Sequence, residues 1–363
     1  MKILLITHGE PLDPERIASG NSVRAHGLAL GLIAAGHAVV QVYPEALGEP
    51  TPLIAERGLR ARRYADRETL AALIDEEAPD ALILGYWELI ELLPESLAAP
   101  IVLDVVAPRI LEAMYQEHLD LADEVRRTLA CYRRADRFLV GNRRQASFLL
   151  PWLLLAGFDC RADAPIDVLP ISAGFERVDP LTYSPDTRLR LVAGGVSWPW
   201  RRTEDWLDPL VWALERHGQG RAGLVMFAGH YVYAADQPPL ELSERERIWP
   251  ESIVERHGLL PYGEMRAYLR RECHIGLELA DANPERRHSQ SFRAMEFLSL
   301  GLPLICNGYT ELAELVRDYD AGWIVDRVED VDGLIAAILE HPESVELKSA
   351  NALRLVEERF HYS

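Results

Sequence analysis

Short apolar runs alternate with amphipathic segments along almost the whole chain, and this alternation limits the possible folds more than any other feature. Ile3 to Thr7 reads as a strand, Ser22 to Ala35 has helical apolar spacing, Gly36 suits a helix stop, and Ala38 to Tyr43 is the next strand. Further strands are expected at Ala81 to Gly85, Ile101 to Asp104, Arg137 to Gly141 and Ile166 to Leu169, with a helix over Leu111 to Arg134. After a polar, proline-bearing stretch the pattern restarts with Leu189 to Gly194, then Gly223 to Gly229, His274 to Glu278, Leu302 to Cys306 and Gly322 to Val325. Parallel strands joined by covering helices follow, in an α/β protein of two doubly wound domains. The boundaries are a first domain at 1–172, a linker at 173–188, a second domain at 189–342 and a C-terminal helix at 343–363 that has the first domain as a possible docking surface. Ligands of such sheets bind beyond the carboxyl ends of the strands, so the cleft between the domains is the place to look.

Composition narrows the function. With 38 basic and 57 acidic residues the formal charge is −19, which repels a nucleic-acid backbone, so an anionic ligand has to be held by a local cluster. Lys2 and Lys348 are the only lysines in the sequence, which leaves arginine to bind phosphate. The four cysteines lack metal-ligand spacing and read as small core residues. No metal site is expected. The longest apolar stretch, Phe148 to Phe158, contains Pro151 and Gly157 and is too short to span a bilayer, so it reads as a buried helix. The expectation is a cytoplasmic protein, with Pro151-Trp152-Leu153-Leu154-Leu155 leaving open a shallow contact with the inner face of the membrane.

Several segments carry chemistry. From His288 to Ile305 the order is loop, helix, glycine stop, strand. Ser289 or Ser291 caps the helix and leaves backbone N–H groups facing an anion such as a diphosphate. Glu296 lies five residues past Ser291, about 7.5 Å along the axis, a separation that suits a ribose hydroxyl pair. In Val192 to Arg202 a strand runs into Gly194-Gly195 and then Arg201-Arg202, where one arginine could reach phosphate oxygens, while Trp198 or Trp200 is placed to stack on a ligand ring. The Ser19-Gly20-Asn21-Ser22 loop lets a ligand approach the backbone of the first domain, and Asp104 ends a strong apolar strand at the cleft edge. The loop from His8 to Ser22 lacks the spaced glycines of a dinucleotide fold, and the phosphate loop of nucleoside triphosphatases, HExxH and GxSxG are absent from the sequence.

Taken together, the segments resemble the retaining glycosyltransferases with the GT-B fold, two Rossmann-like domains facing a central cleft, and family four in particular. The resemblance rests on Met1 to Ile6 with Gly20 ahead of a helix, Ala34 to Val39, Asp167 to Ile171, Gly194-Gly195, and above all Met295 to Ile305. It implies a nucleotide-diphospho-sugar donor as co-substrate, with no cofactor and no metal, and transfer to an acceptor hydroxyl in polysaccharide, glycolipid or secondary-metabolite glycosylation. Glu296 would hold the ribose, Gly195 and Arg201 or Arg202 the diphosphate, and the loop His288 to Ser291, with Ser289 and Gln290, the diphosphate and donor sugar. Gly20 and Asn21 would lie near the phosphates, and Asp104 and His288 near the reacting centre. The chain departs from the family pattern where His288 stands in place of the first of two paired glutamates, with Glu285 three residues further back, and where Asp104 replaces a common histidine. Two alternatives stay open, a nucleotide-sugar 2-epimerase-like isomerase and a non-catalytic nucleotide-sugar-binding subunit.

Overall fold

A computed structural model describes residues 1–49, 58–184, 187–196, 198–230 and 243–362. Among them, β1 (Lys2–Ile6), β2 (Ala38–Pro44), β3 (Arg60–Tyr64), β4 (Ala81–Leu84), β5 (Ile101–Asp104), β6 (Arg137–Val140) and β7 (Ile166–Val168) form one parallel sheet in the order β3-β2-β1-β4-β5-β6-β7. Its helices are α1 (Gly20–Ala34), α2 (Arg67–Glu77), α3 (Arg109–Ala113), α4 (Leu121–Tyr132) and α5 (Arg143–Ala156). A second parallel sheet contains β8 (Leu189–Val196), β9 (Ala222–Gly229), β10 (Val254–His257), β11 (Ile275–Glu278), β12 (Leu304–Cys306) and β13 (Gly322–Ile324), in the order β10-β9-β8-β11-β12-β13. With it run α6 (Glu204–Gly218), α7 (Glu244–Arg247), α8 (Tyr262–Glu272), α9 (Pro284–His288), α10 (Phe292–Ser299), α11 (Glu311–Asp318), α12 (Val331–Glu340) and α13 (Ser344–Arg359). The architecture is GT-B, with each sheet buried between helices. Continuous apolar strands such as Leu4-Leu5-Ile6 and Leu82-Ile83-Leu84 are read so easily because both faces of a parallel sheet are covered.

Three differences from the sequence reading have physical causes. Strands β3 (Arg-Ala-Arg-Arg-Tyr) and β10 (Val-Glu-Arg-His) sit at sheet edges, where a strand is half exposed and carries no apolar run. The helix expected over Leu111 to Arg134 is broken, because α3 stops at Ala113 and Asp120 recaps the chain by accepting from the N–H groups of Ala122 at 2.8 Å and Asp123 at 3.1 Å. The break leaves α3 as a short turn at the cleft. Helix α5 buries Leu149 and Leu153 but exposes Leu154 and Leu155, so it is a covering helix with one open apolar edge. Among the described residues no helix is long and apolar enough to cross a membrane.

The C-terminal helix belongs to the second domain for most of its length, since Ala352, Leu355 and Val356 join the same buried cluster as Leu298 of α10 and Val316 of α11. Only the segment after it crosses over. The Ala173 N–H donates to the Phe360 carbonyl at 2.8 Å, and a Cβ on Gly31 would lie 2.7 Å from the Tyr362 carbonyl oxygen.

Where β8 ends, Gly194 has φ +110° and a Cβ there would lie 1.8 Å from the Phe227 carbonyl oxygen of β9, so two backbones meet at a distance that only glycine permits. Gly194→Ala is therefore expected to cost about 3 kcal/mol or more in urea unfolding. Gly36→Ala, at φ +83° with open space around it, should cost only about 1–2 kcal/mol. Equal midpoints for the two variants would contradict the close approach.

Candidate functional site

In both sheets the strand order reverses direction once, between β1 and β4 and between β8 and β11, and the crevices beyond those carboxyl ends face each other. His8 follows β1, Tyr86 follows β4, Gly194 and Gly195 lie near the end of β8, and Glu278 ends β11. His8, Tyr86, Gly194 and Gly195 line a cavity of about 900 Å³ between the domains. Helix α1, capped by Ser19, and helix α10, capped by Ser291, both start at its wall, so the positive ends of two helix dipoles meet at the same space. The two helix starts are packed together, since a Cβ on Gly20 would lie 2.8 Å from the Phe292 ring.

Glu278 organises the floor of the second domain's half. Its carboxylate is buried, bonded to the Arg286 guanidinium, and approached by Arg201 at 3.7 Å and Arg293 at 3.8 Å. All three arginines line the cavity. Burial would raise the Glu278 carboxyl, but Arg201, Arg286 and Arg293 together hold it below the ordinary range. Burial, followed by repulsion from Arg201, pulls Arg293 down to about 9, so it remains charged at neutral pH. Glu278 and Glu285, the latter 3.9 Å from Arg286 and raised to about 7, stand against three cations, so positive charge is in excess where an anionic ligand would lie. Gly195, at φ +108°, lets Arg293 in, because a Cβ there would meet that guanidinium at 2.8 Å.

At the other end of α10, Glu296 accepts from the Tyr262 hydroxyl at 2.6 Å and from Arg266, and it lines the cavity with its carboxylate oriented by both donors. Each carboxylate oxygen has a further lone pair for a ligand hydroxyl. In the first domain, burial lowers His8 to about 4, so its ring is neutral at pH 7; its Nε2 lies 2.7 Å from the Asn21 amide nitrogen. Trp198 stacks on Trp200 with ring centroids 4.9 Å apart, and both line the cavity.

The residues singled out in the sequence divide into two groups. Gly20, Asn21, Gly195, Arg201, Ser289, Gln290, Ser291 and Glu296 are brought together around the cavity. Within this set Gln290 serves as a tie between the domains, its side-chain oxygen accepting the Ile171 N–H at 3.0 Å. Arg202 is exposed and lies outside the lining. Asp104, expected near the reacting centre, is 2% exposed and held by Arg24 at 2.9 Å and 3.0 Å, while Arg24 also donates to the Pro170 carbonyl; the pair fastens β5 to α1 beneath the cleft. His288 also misses the cavity. Its Nδ1 lies 2.7 Å from the Pro284 carbonyl oxygen, its ring lies 5.2 Å from that of Phe148, and its own carbonyl accepts from Asn142 of the first domain.

Glu285, one helical turn earlier, reaches the cavity instead. It is 2% exposed with one oxygen lacking a hydrogen-bond partner, and burial pushes its carboxyl up to about 7. The residues that sequence reasoning passed over as functional are Glu278, Arg286, Arg293, Tyr262 and His8, together with Arg109 and Glu112. Glu278 could have been found by the rule that drew attention to Asp104, a carboxylate ending an apolar strand.

Residues 202–363, which take in most of the second domain, match the family model described as glycosyl transferase-like. A comparison with curated protein sequences gives no match. Among solved structures the chain is similar to sucrose-phosphate synthase from Thermosynechococcus elongatus, at 16% identity and TM-score 0.70, covering 99% of this chain and 95% of that one. It is also similar to Anabaena HepE in complex with UDP-glucose, at 15% identity and TM-score 0.65, covering 100% and 96%. A third is WaaG, a glycosyltransferase involved in lipopolysaccharide biosynthesis, at 12% identity and TM-score 0.62, covering 100% and 97%. At these identities the likeness establishes the shared GT-B fold.

Asp104→Ala removes the counter-ion of a buried guanidinium, so it should destabilise the chain by about 3–5 kcal/mol in urea unfolding. A loss of activity at unchanged stability would instead return Asp104 to the chemistry.

Proposed function

We propose that the protein transfers a glycosyl group from a nucleoside diphosphate sugar to an acceptor hydroxyl, with retention at the anomeric carbon, as in glycosyltransferase family four. The observation that carries this reading is the cluster of Arg201, Arg286 and Arg293 under the start of α10, facing the start of α1 across the cleft. Such a wall suits a diphosphate, with guanidinium forks and backbone N–H groups on its oxygens. Glu296, farther along α10 and oriented by Tyr262 and Arg266, is placed for the ribose hydroxyls. The glycosyl transferase-like match of the second domain and the UDP-glucose bound to HepE agree with this assignment.

In the proposed step the bond from the anomeric carbon to the diphosphate oxygen breaks while the acceptor oxygen attaches to the same face. The acceptor proton passes to the departing diphosphate. Negative charge grows on the leaving oxygens, where the arginines and helix starts already point, so stabilisation increases toward the transition state without reorganisation. Glu285 lines the cavity where His288 does not, and we assign to it the sugar-hydroxyl contact that the family resemblance gives to the first glutamate. The placement of His288 between Pro284 and Phe148 makes it a support for that loop.

Thermal stabilisation by UDP, GDP, dTDP and ADP with their sugar conjugates tests the reading, since ligand at 100 times its dissociation constant adds about 2.7 kcal/mol. A selective shift is expected. No shift with any nucleotide removes the donor site, and an epimerised sugar without acceptor would replace transfer by isomerisation. Arg201→Ala and Arg293→Ala should each weaken donor binding at least tenfold, Glu296→Gln should cost about 1.5–3 kcal/mol, and Arg202→Ala should leave affinity unchanged.

The pH dependence has a definite sign. Glu285 is raised to about 7, so from pH 6 to 8.5 it loses its proton and adds negative charge beside the diphosphate. Affinity for the nucleotide sugar should fall several-fold over that range and become flatter in Glu285→Gln; a rise with pH would contradict the placement.

A further inference from the structure

The two halves of the cavity carry opposite charge. On the first domain's side, Arg109 and Arg127 line the wall but both are already bound by carboxylates. Arg109 pairs with Glu124 at 2.9 Å, and Arg127 with Glu91 at 2.8 Å, Glu124 at 3.2 Å and Glu88 at 3.5 Å. Two cations therefore face three anions before Glu112 is counted. Glu112, on the short helix α3, also lines the cavity, and among the described residues no side chain donates a hydrogen bond to it. Across the cleft from α3 is α9, which brings Glu285 toward Glu112 with one oxygen buried and without a hydrogen-bond partner. The charged groups facing Glu112 are Arg109 from its own helix and Glu285 and Arg286 from α9, and Arg286 is shared between Glu278 and Glu285, which it approaches at 3.9 Å. Burial, and after it Glu285, pushes the Glu112 carboxyl up to about 8.

Two acid groups brought together from different domains, with excess negative charge behind one of them, are poorly matched to an anionic or purely apolar acceptor. They are well matched to a positive charge, which would favour ionisation of both carboxyls at once. We propose that the acceptor carries a protonated amine next to the hydroxyl that is glycosylated, as in an amino sugar or aminocyclitol, and that its ammonium group docks on Glu112 with Glu285 opposite. This assignment rests on the transferase reading and names its acceptor class. The same cavity would then hold the diphosphate by its cationic wall and the acceptor by its anionic wall, which also disfavours binding either substrate in the other's place.

The test uses glucosamine and 2-deoxystreptamine, each beside its N-acetylated form, titrated calorimetrically into the full chain with and without UDP. At least one free amine is expected to bind ten times more tightly than its N-acetyl form at pH 7.5. In Glu112→Gln the difference should fall below twofold, with the thermal midpoint held and UDP affinity equal or higher. The preference should also shrink below pH 7, where the carboxyls hold their protons. Absence of a free-amine preference, including absence of binding, overturns the proposal, as does a preference that survives in Glu112→Gln. The UDP arm separates the two readings. UDP binding without amine preference removes the acceptor class alone, whereas amine preference without binding of any nucleotide removes the transferase reading.

Discussion

One buried carboxylate makes the cavity possible. Three guanidinium groups could not remain charged within a few ångströms of each other under two domains unless an anion lay among them, and Glu278 supplies it from the end of β11. At about 4 Å and an effective dielectric near 20, each such contact is worth about 4 kcal/mol before desolvation. Glu278 offsets only part of the charge, and the surplus is directed at the cleft. The arrangement depends on backbone detail as well. Gly194 lets β8 meet β9, and Gly195 leaves the space occupied by Arg293, so the glycine pair and the arginine cluster are two parts of one construction.

The placement of the site follows from topology. Each sheet has one point at which strand order reverses, and loops leave that point in opposite directions, opening a crevice. Opposing two such crevices doubles the number of loops and helix starts available to a ligand. Gln290 to Ile171, Asn142 to His288, and Glu311 to the backbone N–H groups of Arg143 and Arg144 tie the two halves along one side of the cleft. The domains are therefore joined by side-chain-to-backbone hydrogen bonds, and Gln290 both makes one of these ties and lines the cavity.

Much of the scaffold was legible. Strands buried on both faces announce themselves as apolar runs, and the helix expected over Ser22 to Ala35 is found as α1, Gly20–Ala34. The edge strands β3 and β10 were not legible, because an edge strand is stabilised by pairing along one side and needs no apolar signature. The site was legible where local grammar defines it: Ser291 as a cap, Glu296 farther along the same helix, and the glycine pair after β8. Asp104 and His288, whose residue types fitted a chemical role, lie outside the cavity lining; their partners, Arg24 and the Pro284 carbonyl, could not be known from spacing.

What the chain by itself determined is the periodic part of the protein: two α/β units, their breaks, the capped helix carrying Glu296, and the need for arginine to bind any phosphate. These follow from interactions within a few residues, which sequence spacing encodes. Only the tertiary structure decided that Arg201 points inward and Arg202 outward, that Asp104 is a fastening, that Glu278 lies among three arginines, and that Glu112 and Glu285 line one cavity from different domains. Those outcomes depend on the electrostatic field and solvent exposure at each side chain, which are set by residues tens to hundreds of positions away along the chain.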